Sequence, residues 1–65
     1  MGIPAVRAIS DGLALICELA DGRRVGVPKA LIEPTSEVRR PGDYGTLFIP
    51  VMLARDLGIV DGAGA

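Results

Sequence analysis

Two Asp-Gly pairs, Asp11-Gly12 and Asp21-Gly22, stand ten residues apart and bracket the apolar run Leu13-Ala14-Leu15-Ile16-Cys17. Asp-Gly favours the left-handed backbone that tight hairpins need, so the chain is expected to reverse twice within this stretch and form an antiparallel meander. Strand one is predicted over residues 5–9, strand two over 13–19 and strand three over 23–27, where Pro28 ends the ladder because it has no N–H to donate. A three-residue loop, Ala20-Asp21-Gly22 with a left-handed Gly22, sets Glu18 opposite Arg24, Cys17 opposite Val25 and Leu15 opposite Val27. One face of the pair is then apolar, and the other carries an opposite-charge cross-strand pair. A two-residue loop would mix the faces, so the pleat selects the longer one.

Beyond Pro28, residues 29–32 suffice for one helical turn, which Glu33-Pro34 stops because a residue before proline avoids the helical region. A loop over residues 33–44 follows; it is longer than a compact domain ordinarily uses, and such loops often carry function. Strand four is predicted over 45–49 and a helix over 50–57, opened by Pro50 and stopped by Gly58. Residues 61–65 read as a flexible tail. The expected fold is mostly β: one domain over residues 1–60, a small antiparallel barrel or curled sheet of four to five strands with one short C-terminal helix.

Composition narrows the chemistry. The 65 residues contain no histidine and one cysteine, so neither a His-activated nucleophile nor an ordinary zinc site can be assembled, and no metal or cofactor is expected. Cys17 lies in the apolar run and reads as a buried, inert thiol of a reducing compartment. No stretch approaches the roughly 18 apolar residues of a membrane span, and a cytoplasmic location in the host cell with no membrane partner is expected. Asp11, Asp21, Asp43 and Asp61 each adjoin glycine or a turn, where aspartate bonds the local backbone, so a non-enzyme is expected.

Seven basic residues face eight acidic ones, for a net charge of -1, which argues against binding dominated by nucleic-acid phosphates. A local patch is still available from Arg23-Arg24, Arg39-Arg40 and Lys29, with Tyr44 as a stacking ring; these six are the candidate partner-binding residues, and Arg7 is a possible addition to the patch. Phe48 is assigned to the core. Along the helix, Leu53 and Leu57 project together toward the protomer's own core, which leaves Val51 and Met52 as the candidate interface of a homodimer; the edge of strand four is a second way to join two copies.

From Leu15 to Val60 the chain resembles a family of very short bacteriophage and prophage proteins. The shared features are Gly-Arg-x-Val-x-Val-Pro-Lys (Gly22 to Lys29), Ser-Glu-Val (Ser36 to Val38), Gly-Asp-x-Gly-Thr-Leu (Gly42 to Leu47) and Ile-Pro-x-x-Leu-Ala closing on Gly58. That family often carries tryptophan where this chain has Gly26 and Met52, and serine where it has Ala30; if those aromatics contact a ligand elsewhere in the family, this chain has altered or lost that contact. A shorter stretch, Gly45…Ile49-Pro50…Arg55-x-Leu57-Gly58-Ile59-x-x-Gly62, is similar to the AbrB-type swapped-hairpin DNA-binding domain, although that family places it before its remaining strands and has basic residues where this chain has Thr46 and Val51.

The first family brings no established activity; the expected function is a non-enzymatic, phage-type accessory binding module whose partner is a host or phage protein, or nucleic acid. The second implies a dimeric DNA-binding regulator or antitoxin. A third class is a phage-made inhibitor or small-molecule sponge directed against the host.

Overall fold

The computed structural model describes residues 1–59. The expected tail, residues 61–65, lies outside them, as does Val60. Four strands form one antiparallel sheet: β1 (Gly2–Asp11), β2 (Ala14–Glu18), β3 (Arg24–Pro28) and β4 (Tyr44–Phe48), in the order β3-β2-β1-β4. A 3-10 turn (Lys29–Leu31) follows β3, and the helix α1 (Val51–Asp56) follows β4. Because β3 and β4 lie at opposite edges and do not pair, the sheet is curled and not closed into a barrel.

The β2–β3 hairpin has the register that its turn dictates, with Glu18 opposite Arg24, Cys17 opposite Val25 and Leu15 opposite Val27. Gly22 is left-handed at φ 90°, and the N–H of Leu19 reaches the Arg23 carbonyl at 2.7 Å. Strands two and three each start one residue later than predicted; β3 runs on through Pro28, at the end of an edge strand, where an absent N–H is harmless. Leu13 belongs to the first turn and is fully exposed.

β1 departs most from expectation, since it spans Gly2–Asp11 and not residues 5–9. Its N-terminal part is recruited by a partner remote in sequence: Gly2 faces Phe48, and Ile3 faces Leu47. Between Ile3 and Val6 the register against β4 shifts by one residue, and Ala5 there takes the left-handed conformation at φ 58°. Ile3 and Val6 are three apart and would point to opposite faces of a regular strand; the bulge turns both into the core.

That core comprises Ile3, Val6 and Ala8 of β1, Leu15 and Cys17 of β2, Val27, Leu47, and then Leu19, Val38, Ile49 and Ala54 from the connections and the helix. Pro50 is the extended N-cap of α1 and not its first residue. The helix ends in a Schellman motif: left-handed Gly58 (φ 74°) donates to the Arg55 carbonyl at 3.0 Å, and Ile59 donates to Ala54 at 2.9 Å. Leu53 and Leu57 pack on the core, as the helical spacing predicts. Phe48 does not belong to that core. It is half-buried on the face opposite Leu47, and a Cβ added to Gly2 would lie 2.8 Å from its ring.

The long loop has a structural cause. From β3 the chain must cross the whole sheet to reach the far edge, a distance of about 14 Å for three strand spacings. On arrival it runs beside β4 and binds the outward backbone groups of that strand. Glu33 and Glu37 donate N–H bonds to the carbonyls of Phe48 and Thr46 at 2.9 and 3.0 Å. The N–H groups of Thr46 and Phe48 donate to Glu37 Oε1 at 2.8 Å and Ser36 Oγ at 3.1 Å. Val38 is wholly buried and anchors the crossing, a side-chain burial worth about 1.5–3 kcal/mol. The loop therefore has the length that the connection needs, and it leaves no bonding groups at Thr46 and Phe48 for a second copy to pair with.

Candidate functional site

The loop returns to the sheet through a tight turn over residues 39–43. Its organiser is Asp43, whose Oδ2 accepts the backbone N–H groups of both Arg39 and Arg40 at 3.0 Å. Those two bonds, Arg39 first, hold the Asp43 carboxyl below its ordinary range. Gly42, left-handed at φ 95°, donates to the Ala8 carbonyl, and Ala8 donates to the Asp43 carbonyl, both at 2.9 Å. The turn is thus tied to β1. The Arg39 and Arg40 backbone is fixed while the exposed side chains line a shallow depression shared with Glu37 and Asp43, Arg39 Nη1 also donating to the Pro34 carbonyl at 3.4 Å.

Tyr44 comes next and opens β4. It lies directly across from Arg7, whose guanidinium sits 5.1 Å from the centre of its ring. Tyr44 is 60% exposed. Arg7, a possible addition to the basic patch on sequence, becomes the neighbour of Tyr44 through β1–β4 pairing. Arg7 in turn faces Glu18, and Glu18 faces Arg24, so a single row crosses all four strands: Tyr44, Arg7, Glu18, Arg24. Ala5, Leu19 and Ala20 join Arg7, Glu18 and Tyr44 around a second shallow hollow beside that row.

The six candidate partner-binding residues fall into two groups. Arg39, Arg40 and Tyr44 gather at the β1–β4 side. Arg23, Arg24 and Lys29 lie toward β3, and each has an internal partner. Arg23 pairs with Asp21 at 2.7 Å and also donates to the Gly58 carbonyl at 3.1 Å, which ties the second hairpin turn to the end of the helix. Arg24 stands 3.8 Å from Glu18, and Lys29 bonds Asp11. These pairs are exposed, so each contributes about 0–1 kcal/mol. They do, however, place a carboxylate beside every one of these three cations.

Asp21 and Asp43 serve as turn acceptors, as their positions next to glycine suggest; Asp21 receives the Arg23 N–H at 3.0 Å and is likewise held below its ordinary range, first by that bond. Asp11 instead pairs with Lys29. Cys17 is fully buried, and desolvation pushes its thiol up to about 11. Among the described residues no group of three or more acidic or sulfur ligands could hold a metal ion, and no helix is long and apolar enough to cross a membrane.

At the opposite end, Val51 is 47% and Met52 74% exposed. The Met1 amino group donates to the Ile49 carbonyl at 2.9 Å, and Met1 is exposed. The AbrB-like positions have local structural reasons. Gly45 admits Glu37, whose Oε1 would lie 2.7 Å from an added Cβ; Pro50 caps α1; Gly58 closes it. The chain matches no known protein family, no curated protein and no solved structure.

Proposed function

We propose that this chain is a small, non-enzymatic accessory binding module, of the phage type that its motifs resemble, and that it holds a protein partner through Arg39, Arg40 and Tyr44. The observation that carries this reading is the pairing of an open aromatic ring with a pinned arginine turn. Tyr44 is 60% exposed with Arg7 beside its ring, and the Asp43 carboxylate fixes the backbone on which Arg39 and Arg40 stand. Tyrosine and arginine on a rigid frame are the residues that most often anchor protein interfaces, because little conformational freedom is lost on docking.

Charge arrangement favours a protein over a nucleic acid. A phosphate backbone calls for a continuous basic stripe. Here Asp21, Glu18 and Asp11 pair with Arg23, Arg24 and Lys29, while Glu37 and Asp43 share the depression with Arg39 and Arg40. Alternating charge suits a partner that presents both signs.

Affinity capture from host lysate, with and without nuclease, tests the reading. Wild type is expected to retain a nuclease-resistant protein, and Arg39→Glu/Arg40→Glu to lose it with an unchanged melting temperature. Normal capture by the double variant refutes this contact. Duplex DNA retardation that falls steeply with salt would favour the AbrB-like regulator instead.

A further inference from the structure

The two edges of the sheet are not alike. At β4 the chain's own loop occupies the outward donors and acceptors of Thr46 and Phe48. At β3 no such cover exists among the described residues. The N–H of Leu19 bonds the Arg23 carbonyl, so by antiparallel alternation Val25 and Val27 exchange their bonds with Cys17 and Leu15. The backbone groups of Arg24 and Gly26 therefore point away from the sheet, and no described backbone group bonds them.

Gly26 is the second observation. Glycine in a strand interior weakens it, and its presence there often marks the close approach of another backbone. Nothing among the described residues requires it: its φ is not left-handed, and an added Cβ would meet only Ile16 and Ala14 at ordinary contact distances of 3.6 and 3.7 Å. The glycine is unexplained by the single chain.

We infer that β3 is a strand-addition edge and that the strand it accepts is β3 of a second copy. Register selects the partner. In a two-fold antiparallel pair, setting Arg24 opposite Gly26 of the other copy engages every outward N–H and C=O of Arg24 and Gly26, in four bonds. Arg24 then has no side chain directly across from it and keeps Glu18 on its own sheet. Val25 falls opposite Val25 of the other copy, on the core face, where it is only half-buried in one protomer. The two neighbouring registers are worse. One sets Arg24 against Arg24 of the other copy, a like-charge contact. The other sets Arg24 against Pro28, which has no N–H to return. β3 is thus complementary to itself in one register, and the product is a continuous eight-stranded sheet.

Sedimentation equilibrium tests this. Wild type is expected at twice the chain mass. Gly26→Pro removes an outward N–H without touching the β2–β3 ladder and is expected to halve the mass, whereas Met52→Glu is expected to remain dimeric. A wild-type monomer at every concentration overturns the inference. So does a Gly26→Pro dimer, or a Met52→Glu monomer, which would transfer the interface to the helix rim. Cross-linking decides independently of whether Gly26→Pro folds. In a Cys17→Ala chain, Val25→Cys is expected to form a symmetric disulfide dimer on mild oxidation, because residue 25 meets its own copy in a close non-bonded pair; Gly26→Cys is not. Equal cross-linking at both positions, or none at 25, overturns the register.

Discussion

Replacing Ser36 by alanine strikes the bond system that holds the crossing loop to β4. Ser36 is 6% exposed, and its hydroxyl serves three backbone groups: it donates to the Val38 carbonyl at 3.0 Å and accepts from the N–H groups of Phe48 at 3.1 Å and Val38 at 3.3 Å. Alanine deletes one oxygen and leaves all three without their partner. A net hydrogen bond is worth about 1 kcal/mol, and a buried group left unmade costs about 1–3 kcal/mol. Val38 is wholly buried, so its two groups bear the full loss, while Phe48 is half-buried and water takes over part of its share. Taking the lower end of that range, about 1 kcal/mol for each group, the expected destabilisation is about 2–3 kcal/mol. A chain of this size has a total stability of about 3–10 kcal/mol. At about 4–8 °C per kcal/mol, the melting temperature should fall by about 10–20 °C in a thermal melt followed by circular dichroism. A fall of less than about 3 °C would refute the claim that Ser36 pins the loop, since no other side-chain acceptor is bonded to the Phe48 N–H.

Ala5→Gly should raise stability by about 0.5–1 kcal/mol, because the left-handed conformation at φ 58° costs a residue with a Cβ about 1–2 kcal/mol and the added freedom of the unfolded chain returns only part of that; a lower urea midpoint would contradict the assignment of strain. Asp43 and Asp21 have depressed carboxyls, so the stability they contribute is present above the ordinary value of 3.8 and is lost as the pH falls through and below it. Melting curves of wild type and Asp43→Asn should accordingly converge in acid, and curves that stay parallel would count against the turn bonds. Cys17, buried and shifted to about 11, should resist iodoacetamide at pH 8 until the chain unfolds; rapid labelling of the folded protein would show that the strand opens.

The candidate site was legible only in part. Arg39, Arg40 and Tyr44 stand out because they share an unusually long loop. Asp43, which fixes the two arginines, hides behind its bland reading as a turn residue, and that reading is correct: its turn bonds are what shape the site. Arg7 is legible only as a possible addition to the basic patch; its link to Tyr44 leaves no trace in the sequence, since it joins residues 37 positions apart. Loop length was misleading. The excess over residues 33–44 looked like room for a binding function, yet crossing from β3 to the far edge uses it.

Taken alone, the sequence determined whatever short-range geometry controls. Gly22 and the alternation on either side of it fix the β2–β3 register, because a one-residue slip would expose Leu15, Cys17 and Val27 together. Pro50 and Gly58 fix where α1 starts and stops, because one presets φ and the other tolerates a left-handed cap. Tertiary structure alone decided which strand meets which. β1 gains its length from a distant β4, its bulge at Ala5 lets Ile3 and Val6 share one core, and the loop closes the β4 edge while no described residue covers β3. Strand partners are chosen by satisfying backbone groups and burying side chains across long separations, and neither quantity is encoded in neighbouring residues.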